Sequence, residues 1–413
     1  MIHLFDIPEL TYVIVNLLDI KSIGRMVQVS QTFRDFIQDM PIYLELQTCL
    51  NYIQHNLKIH EKKYNFPEKI FISACANDCR NIINSFWKER VPSVSFSGIL
   101  DAGLMSACEN GHLEVGKFLV DKEANICGED NYSLIWAYGN GHLDVVKFLV
   151  EKGANIHARN DRALRWVCIS GHLEVAKFLV EKGANIHAFY DDALVGACEN
   201  GHWELAKFLV EKGANIHADN DYALVQVCEN GHLEVAKFLV ENGANIHAVN
   251  DYSLISACER GHLEVVMFLL EKGASIYSNN YYALLLACEN GHLEMAKFLV
   301  EKEADIHADY FAFRFACENG HMEVAKFLVE KGADIHAQND YVLRWACKKG
   351  RLEVAKFLVQ KGADIHAQND YALRWACRND RLEVAKFLVE NKANIHVNYD
   401  THQFLVKHGI IKS

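Results

Sequence analysis

Hydrophobic and polar positions recur along most of this chain with a fixed spacing. In residues 222–251, Leu224, Val227 and Cys228 stand at i, i+3 and i+4, which places their side chains on one face of a helix. A second apolar run, "VAKFLV" at residues 235–240, follows a Gly-His pair. The pattern predicts two short amphipathic helices in each such segment. Because neither helix can bury its apolar face alone, we expect neighbouring segments to stack.

The ends of the two predicted helices carry recognisable signals. Asp221 precedes the first helix, and aspartate favours the N-cap position because its carboxylate accepts hydrogen bonds from free backbone N–H groups. Gly231 suits the left-handed position that ends the first helix, and Gly243 does the same for the second. The sequence therefore predicts helix boundaries at these three residues.

The Gly-His pair shows that this segment is one copy of an internal repeat. Most copies are 30 residues apart, and one residue is deleted before the eighth. A fainter copy, "SACANDCRNIINSFW", lies upstream at residues 73–87. When the ten copies are aligned, one column holds the glycine of this pair or its replacement: Gly111, Gly141, Gly171, Gly201, Gly231, Gly261, Gly291, Gly320, Gly350 and Asp380.

The repeat resembles the ankyrin repeat. The matching features are the small pair Val227-Cys228, the pair Gly231-His232, the helix "LEVAKFLV" and the segment "GANIHA", repeated in register over roughly three-quarters of the chain. The resemblance implies an all-α solenoid of stacked helix-turn-helix units that binds proteins and catalyses no reaction. Each copy is about three residues shorter than a typical ankyrin repeat, so we expect short connections between copies. Such compact copies in an Asn/Ile/Lys-rich chain are similar to ankyrin families of giant DNA viruses.

Composition narrows the possible environments and partners. The net charge of −12 disfavours nucleic-acid binding, and no apolar run reaches the roughly 18 residues of a membrane span. The start, "MIHLFDIPEL", lacks the pattern of a secretory signal. The odd count of 13 cysteines indicates reduced thiols. We therefore expect a monomer in the cytoplasm or nucleus, or in the host cytoplasm if the chain is viral.

Cysteine and histidine columns raise the question of a metal site. Nine cysteines share the column of Cys228, at the tight helix contact, where a free cysteine acts as a small buried hydrophobe. Stacked helices lie about 8–10 Å apart, too far for a disulfide, which needs Cα atoms within about 7 Å. Zinc requires three or four converging ligands, whereas the cysteine and histidine side chains leave different elements. We predict no metal, no cofactor and no catalytic residue.

The least constant columns are the two residues before the small pair, on the first helices, which line the concave face in ankyrin proteins. Arg and Trp, the residues most enriched in interaction hot spots, recur there.

Residues 222–251 carry a net charge of −3, but residues 341–370 carry +3. Alternatively, the tryptophans fill gaps between repeats, and the basic residues keep an end unit soluble. The predicted partner-binding residues are Trp136, Arg165, Trp166, Arg314, Phe315, Arg344, Trp345, Lys348, Lys349, Arg351, Arg374, Trp375 and Arg378.

Residues 4–37 follow a different pattern. Pro8 opens a predicted helix with Leu10, Ile14, Leu17 and Leu18 at helical spacing. This segment resembles the F-box, a three-helix module that binds the Skp adaptor of cullin–RING ubiquitin ligases. The resemblance implies that Pro8 and these four apolar residues contact such an adaptor. The alternative is a helical N-terminal cap with coincidental spacing.

Together these features predict an F-box-like helical module followed by an all-α ankyrin solenoid. The leading hypothesis for function is a ligase substrate receptor that holds its target on the repeats. The competing hypothesis is a plain ankyrin scaffold or competitor with no role in ubiquitin transfer. The predicted boundaries are 1–40 for the F-box-like module, 41–65 for a connecting helix, 66–98 for a degenerate capping repeat, 99–398 for ten repeats and 399–413 for a C-terminal cap.

Overall fold

A computed structural model of the chain describes most of the repeat region. The described residues are 45, 48–49, 66–89, 96–127, 131–276, 282–304, 311–395 and 398–412. The predicted F-box-like module at 1–40 lies outside them, as does most of the predicted connecting helix at 41–65. Within the described ranges the regular elements are all helices, as the hydrophobic spacing predicts.

The helices alternate along the chain between the first and the second member of a pair. In chain order they are α1 Phe66–Ala76, α2 Arg80–Glu89, α3 Phe96–Glu109, α4 Leu113–Asp121, α5 Tyr132–Gly139, α6 Leu143–Glu151, α7 Ala158–Ser170, α8 Leu173–Glu181, α9 Asp192–Glu199, α10 Trp203–Glu211, α11 Ala218–Asn230, α12 Leu233–Glu241, α13 Tyr252–Arg260, α14 Leu263–Glu271, α15 Tyr282–Glu289, α16 Leu293–Glu301, α17 Phe311–Asn319, α18 Met322–Glu330, α19 Ala337–Lys349, α20 Leu352–Gln360, α21 Ala367–Arg378, α22 Leu382–Glu390 and α23 Tyr399–Lys407.

The pair α11–α12 shows how the sequence produces these helices. In α12, Val235, Ala236 and Leu239 are buried and fall on one face, as their i, i+1, i+4 spacing requires. Gly231, at φ 78°, ends α11 in the left-handed conformation that glycine adopts without a steric penalty. The glycine helix stop predicted from the sequence is therefore confirmed.

A left-handed turn, rather than a β-hairpin, connects several consecutive helix pairs. Before the main part of α11, residues Asp219, Asn220 and Asp221 have φ of 49°, 57° and 59°. The same three positions are left-handed at 189–191, 249–251, 338–340 and 368–370. The described connections contain no strand, which agrees with the short connections predicted from the 30-residue period.

Contacts divide the described residues into two compact units. The first comprises those within 1–197 and 204–214, and the second those within 198–203 and 215–413. In the first unit, α1, α3, α5 and α7 pack in succession, and α4, α6 and α8 form a second row. In the second unit, α11, α13, α15, α17, α19 and α21 pack in succession, and α23 packs on α21. The predicted stacking of neighbouring segments is thus confirmed within each unit.

The cysteine column lies in the core of both units. Its nine members, represented by Cys228 at 0% and Cys377 at 5% exposure, are buried, as predicted for small hydrophobes. All 13 cysteines are free thiols, and only Cys127 is exposed. Burial raises the pKa of Cys108 to about 12, so this thiol keeps its proton at neutral pH. No described helix has both the length and the apolar character to cross a bilayer.

Candidate protein-binding surface

The histidine after each glycine is a contact between neighbouring repeats. The Nε2 of His292 donates a hydrogen bond to the carbonyl of Glu259, 33 residues earlier, at 2.9 Å. Its ring lies against Gly261, where a Cβ would stand only 2.7 Å from Nδ1. The glycine therefore serves both the left-handed turn and the close approach of the ring. The Gly-His column is explained by this packing.

Two arginines take over this contact in the last repeats. The Nε of Arg351 donates to the carbonyl of Glu318 at 3.2 Å, and the Nε of Arg381 donates to the carbonyl of Lys348 at 3.2 Å. Arg351 is one of the predicted partner-binding residues, and part of its guanidinium is already used between repeats. Arg351 is otherwise exposed, so its contact with a partner stays a prediction.

The aspartates before the first helices do not cap those helices. Asp221 is left-handed, and its Oδ1 instead accepts from His217 Nδ1 at 3.0 Å and from the backbone N–H of Asn245 at 2.8 Å. Asp251, also predicted as an N-cap, makes no side-chain cap bond to its helix. Asp251 stands at the predicted N-cap position, but the predicted capping bond is absent because the left-handed backbone turns the carboxylate toward the next repeat. The histidines of the "NIHA" segments, such as His217, therefore also have a structural partner.

The predicted partner-binding residues of the first unit are spread along its first helices. Trp136 is 42% exposed and Trp166 is 39% exposed. Arg165 forms an ion pair with Asp192 at 2.7 Å, and Arg162 lies over the Trp166 ring at 5.5 Å. These tryptophans are large apolar groups open to solvent, but the charge of the neighbouring Arg165 is partly neutralised by Asp192.

In the second unit the structure brings together most of the other predicted residues. The guanidinium of Arg344 lies over Tyr341 at 5.2 Å and over Tyr371 of the next repeat at 5.8 Å. Arg374 lies over Tyr371 at 4.8 Å, and Arg314 over Tyr341 at 5.1 Å. Cations and tyrosine rings therefore alternate across α17, α19 and α21. We call this row, with the adjoining indoles and lysine described next, the cation–aromatic surface.

Two indoles and a lysine complete the cation–aromatic surface. Trp345 and Trp375 pack edge to face with ring centroids 5.4 Å apart, so they do fill space between repeats. Lys348 Nζ lies 4.0 Å from the Trp345 ring and 4.7 Å from the Trp375 ring. All three side chains remain partly exposed. The tryptophans thus serve packing and surface at once, and the two interpretations of the sequence are compatible.

The charges on this surface differ from those on the second helices. Most lysines in the "KFLV" position are paired with a glutamate three residues earlier; Lys237, for example, binds Glu234 at 2.8 Å. The same pairing recurs in seven second helices. Among the ion pairs of the described residues, by contrast, none involves the surface cations Arg344, Lys348, Lys349, Arg374 or Arg378. Only Arg314 has a carboxylate, that of Glu318 at 2.5 Å.

Three N–H donors within the cation–aromatic surface are buried without an acceptor. They are Arg344 Nε, Trp345 Nε1 and Arg374 Nε. A buried donor without a partner costs about 1–3 kcal/mol, so such groups in a native protein need an explanation. Because these three atoms are buried, they belong to the packing beneath the cation–aromatic surface and not to its exposed side.

Sequence reasoning missed Tyr341 and Tyr371, which hold the arginines in place. The signal was present, since each tyrosine stands three and four residues before the Arg-Trp pair of its own helix, on the same face. Phe315 of the predicted set lies 4.9 Å from the Arg314 guanidinium. Lys349 and Arg378 are exposed at the end of their helices. The predicted set and the observed surface therefore overlap around three consecutive first helices.

Metal coordination finds no support in the described ranges, where three or more His, Cys, Asp and Glu side chains do not converge on a common point. The two histidine columns bind carbonyls and carboxylates of the protein itself, and the cysteine column is buried. The chemistry that the surface offers a ligand is charge, aromatic faces and N–H donors.

Comparison with known proteins agrees with this architecture. The family model "Ankyrin repeats (3 copies)" matches residues 71–160, 104–190, 164–250, 224–310 and 313–399, and the chain belongs to the ankyrin-repeat family. Ankyrin repeats are protein-binding scaffolds, typically without catalytic activity. The crystal structure of the human ASB11 ankyrin repeat domain is similar over 45% of this chain and 96% of that chain, with 25% identity and a TM-score of 0.39. A search of curated proteins gives no match.

Proposed function

We propose that the chain is a non-catalytic receptor that holds a partner protein on the cation–aromatic surface of α17, α19 and α21. The observation that carries this proposal is the set of five surface cations without a carboxylate among the described residues, in a chain where seven second-helix lysines are paired. Two partly exposed indoles lie among them, and Arg and Trp are enriched at binding hot spots. Rigid aromatic and arginine side chains already held in place lose little entropy when a partner binds.

The finer proposal is that the receptor delivers its partner to a cullin–RING ubiquitin ligase. Its support is the F-box-like spacing of Pro8, Leu10, Ile14, Leu17 and Leu18, which lie outside the described residues. A module that binds a ligase adaptor, followed by a repeat array that binds a target, is the order expected of a substrate receptor. The competing proposal is a scaffold that occupies its partner without ubiquitin transfer.

Capture of the full chain by a purified Skp adaptor tests the ligase role. The test variant is a Pro8→Ala, Leu10→Asp double substitution, which changes two residues of the proposed adaptor contact. The matched control is Arg344→Gln, Arg374→Gln, which alters the cation–aromatic surface and leaves residues 4–37 intact. We expect capture of the wild type and of the control, and loss of capture in the test variant.

Each outcome separates the two proposals. If a folded wild type is not captured, the ligase role is refuted and the scaffold proposal stands. If the test variant is captured as well as the wild type, the adaptor contact does not involve the F-box-like spacing. Circular dichroism of each variant verifies that the repeats remain helical.

A further inference from the structure

The cation–aromatic surface has a specific chemical need. Arg344, Lys348, Lys349, Arg374 and Arg378 carry positive charge without an ion pair to any other described residue, although the whole chain has a net charge of −12. This unpaired charge is met by one kind of ligand, an anion with several oxygen acceptors.

We infer that the occupant of this surface is an extended acidic peptide with a glutamate or aspartate at every third residue. This inference presupposes the partner-binding part of the proposed function and is independent of the adaptor contact. The peptide crosses α17, α19 and α21 and places one carboxylate against the arginine of each of the last two repeats.

The spacing of the repeats sets the spacing of the carboxylates. Arg344 and Arg374 occupy the same position in consecutive copies, 30 residues apart in sequence. Helices packed side by side lie about 8–10 Å apart. An extended peptide advances about 3.3 Å per residue, so three residues span about 10 Å. A peptide with acidic residues at i, i+3 and i+6 therefore matches the repeat step, whereas adjacent acidic residues do not.

The side chains around the arginines favour carboxylate binding. The Arg344 guanidinium lies 5.2 Å from the Tyr341 ring centre and 5.8 Å from that of Tyr371, and one of its terminal nitrogens donates to the Gln338 carbonyl at 2.9 Å, so its position is held. A carboxylate accepts two parallel hydrogen bonds from a guanidinium held in this way, and arginine is the residue that makes this fork. Lys348, between the two indoles, adds attraction that falls as salt rises.

Nucleic acid is a weaker fit for the same surface. Nucleic-acid binding proteins spread positive charge along a whole face, because phosphate contacts supply most of the affinity. Here the positive segment is confined to about two repeats, and the chain as a whole is acidic. A short peptide needs only this local surface.

Fluorescence anisotropy with the full chain and labelled synthetic peptides tests the inference. The spaced peptide has three glutamates separated by two alanines each, and the clustered peptide has the same composition with the glutamates adjacent. A third peptide has lysine in place of glutamate. We expect the spaced peptide to bind at least about tenfold more tightly than the clustered one, since one well-made charged hydrogen bond changes affinity by this factor or more. Binding should weaken as salt is added.

Matched variants separate specific recognition from general charge. Arg344→Gln with Arg374→Gln removes two surface cations and should weaken binding about tenfold or more. Lys237→Gln with Lys297→Gln removes two cations that are paired on second helices and should leave affinity within about twofold. Arg344→Lys with Arg374→Lys keeps the charge but loses the fork, so an intermediate affinity is expected. Circular dichroism confirms that each variant is folded.

Three results overturn the inference. They are no binding of the spaced peptide to folded wild type, equal affinity for spaced and clustered peptides, and tighter binding of a short single-stranded oligonucleotide than of the spaced peptide. Each of these can occur with or without adaptor capture, so failure here and failure of the ligase role are distinguishable.

Discussion

Replacing Gly261 with alanine should destabilise the protein through two separable effects. At φ +79° an alanine is strained by about 1–2 kcal/mol, partly offset by about 0.4–1 kcal/mol of unfolded-state entropy. The added methyl also meets the His292 ring, because the new Cβ stands 2.7 Å from its Nδ1. Forcing a methyl into a packed contact costs about 1–3 kcal/mol. We therefore expect a loss of about 2–4 kcal/mol in unfolding free energy.

The chain offers its own control at Gly320. This glycine has φ +82°, but a Cβ there would stand 3.4 Å from the flexible side chain of Arg351. Gly320→Ala should therefore cost only the backbone strain, about 1 kcal/mol. Asp380, at φ +55° in the same column, shows that a side chain is tolerated at this position. The comparison isolates the cost of ring stacking from the cost of the left-handed backbone.

Guanidinium denaturation followed by circular dichroism gives the two differences in unfolding free energy. The double variant Gly261→Ala, His292→Ala closes the cycle, because removing the ring makes room for the methyl. We expect the two substitutions to couple by about 1–3 kcal/mol. If Gly261→Ala and Gly320→Ala differ by less than about 0.5 kcal/mol, stacking of the histidine ring contributes nothing and the reasoning is refuted.

Four further predictions concern the connections and the thiols. Asp221→Ala should cost about 2–4 kcal/mol and increase hydrogen exchange at the Asn245 amide, while Asp221→Asn, which keeps an acceptor, should cost about half as much; equal exchange in both would contradict the inter-repeat bond. Val249→Asp should raise the unfolding free energy by about 0.5–1 kcal/mol in denaturant titrations, since a β-branched residue is strained at φ +50°; no gain would contradict this strain. A maleimide should label Cys127 alone in native protein. Because burial raises the Cys108 pKa from 9.0 to about 12, the unfolded chain loses this proton first, and the unfolding free energy should fall between pH 9 and 12.

Most of the fold could be predicted because its causes lie within one repeat. The apolar spacing of Leu224, Val227 and Cys228 predicts the buried helix face, and Gly231 predicts where that helix ends. These features depend on neighbours three to four residues away, so they can be read directly from the sequence. The cysteine column follows from the same local pattern.

Contacts between repeats were not predictable in the same way. The partner of Asp221 is an amide 24 residues later, and the partner of His292 is a carbonyl 33 residues earlier. The predicted capping bond is absent because the left-handed backbone of the whole turn, which no local rule reveals, directs the aspartate side chain away from the helix. In the candidate site, Arg344 and Trp345 were predicted from variability between copies, but Tyr371 acts through the next repeat.

The fixed reach of these inter-repeat bonds has a consequence for how the gene can change. A histidine or arginine binds a carbonyl 33 residues back, and an aspartate binds an amide 24 residues ahead, at equivalent positions of several copies. Unequal recombination that inserts or deletes a whole 30-residue unit recreates both bonds at the new junction. The gene can therefore lengthen or shorten the array without new compensating mutations. Residues outside these bonds, such as the Arg-Trp pairs, are then left to diverge from one copy to another.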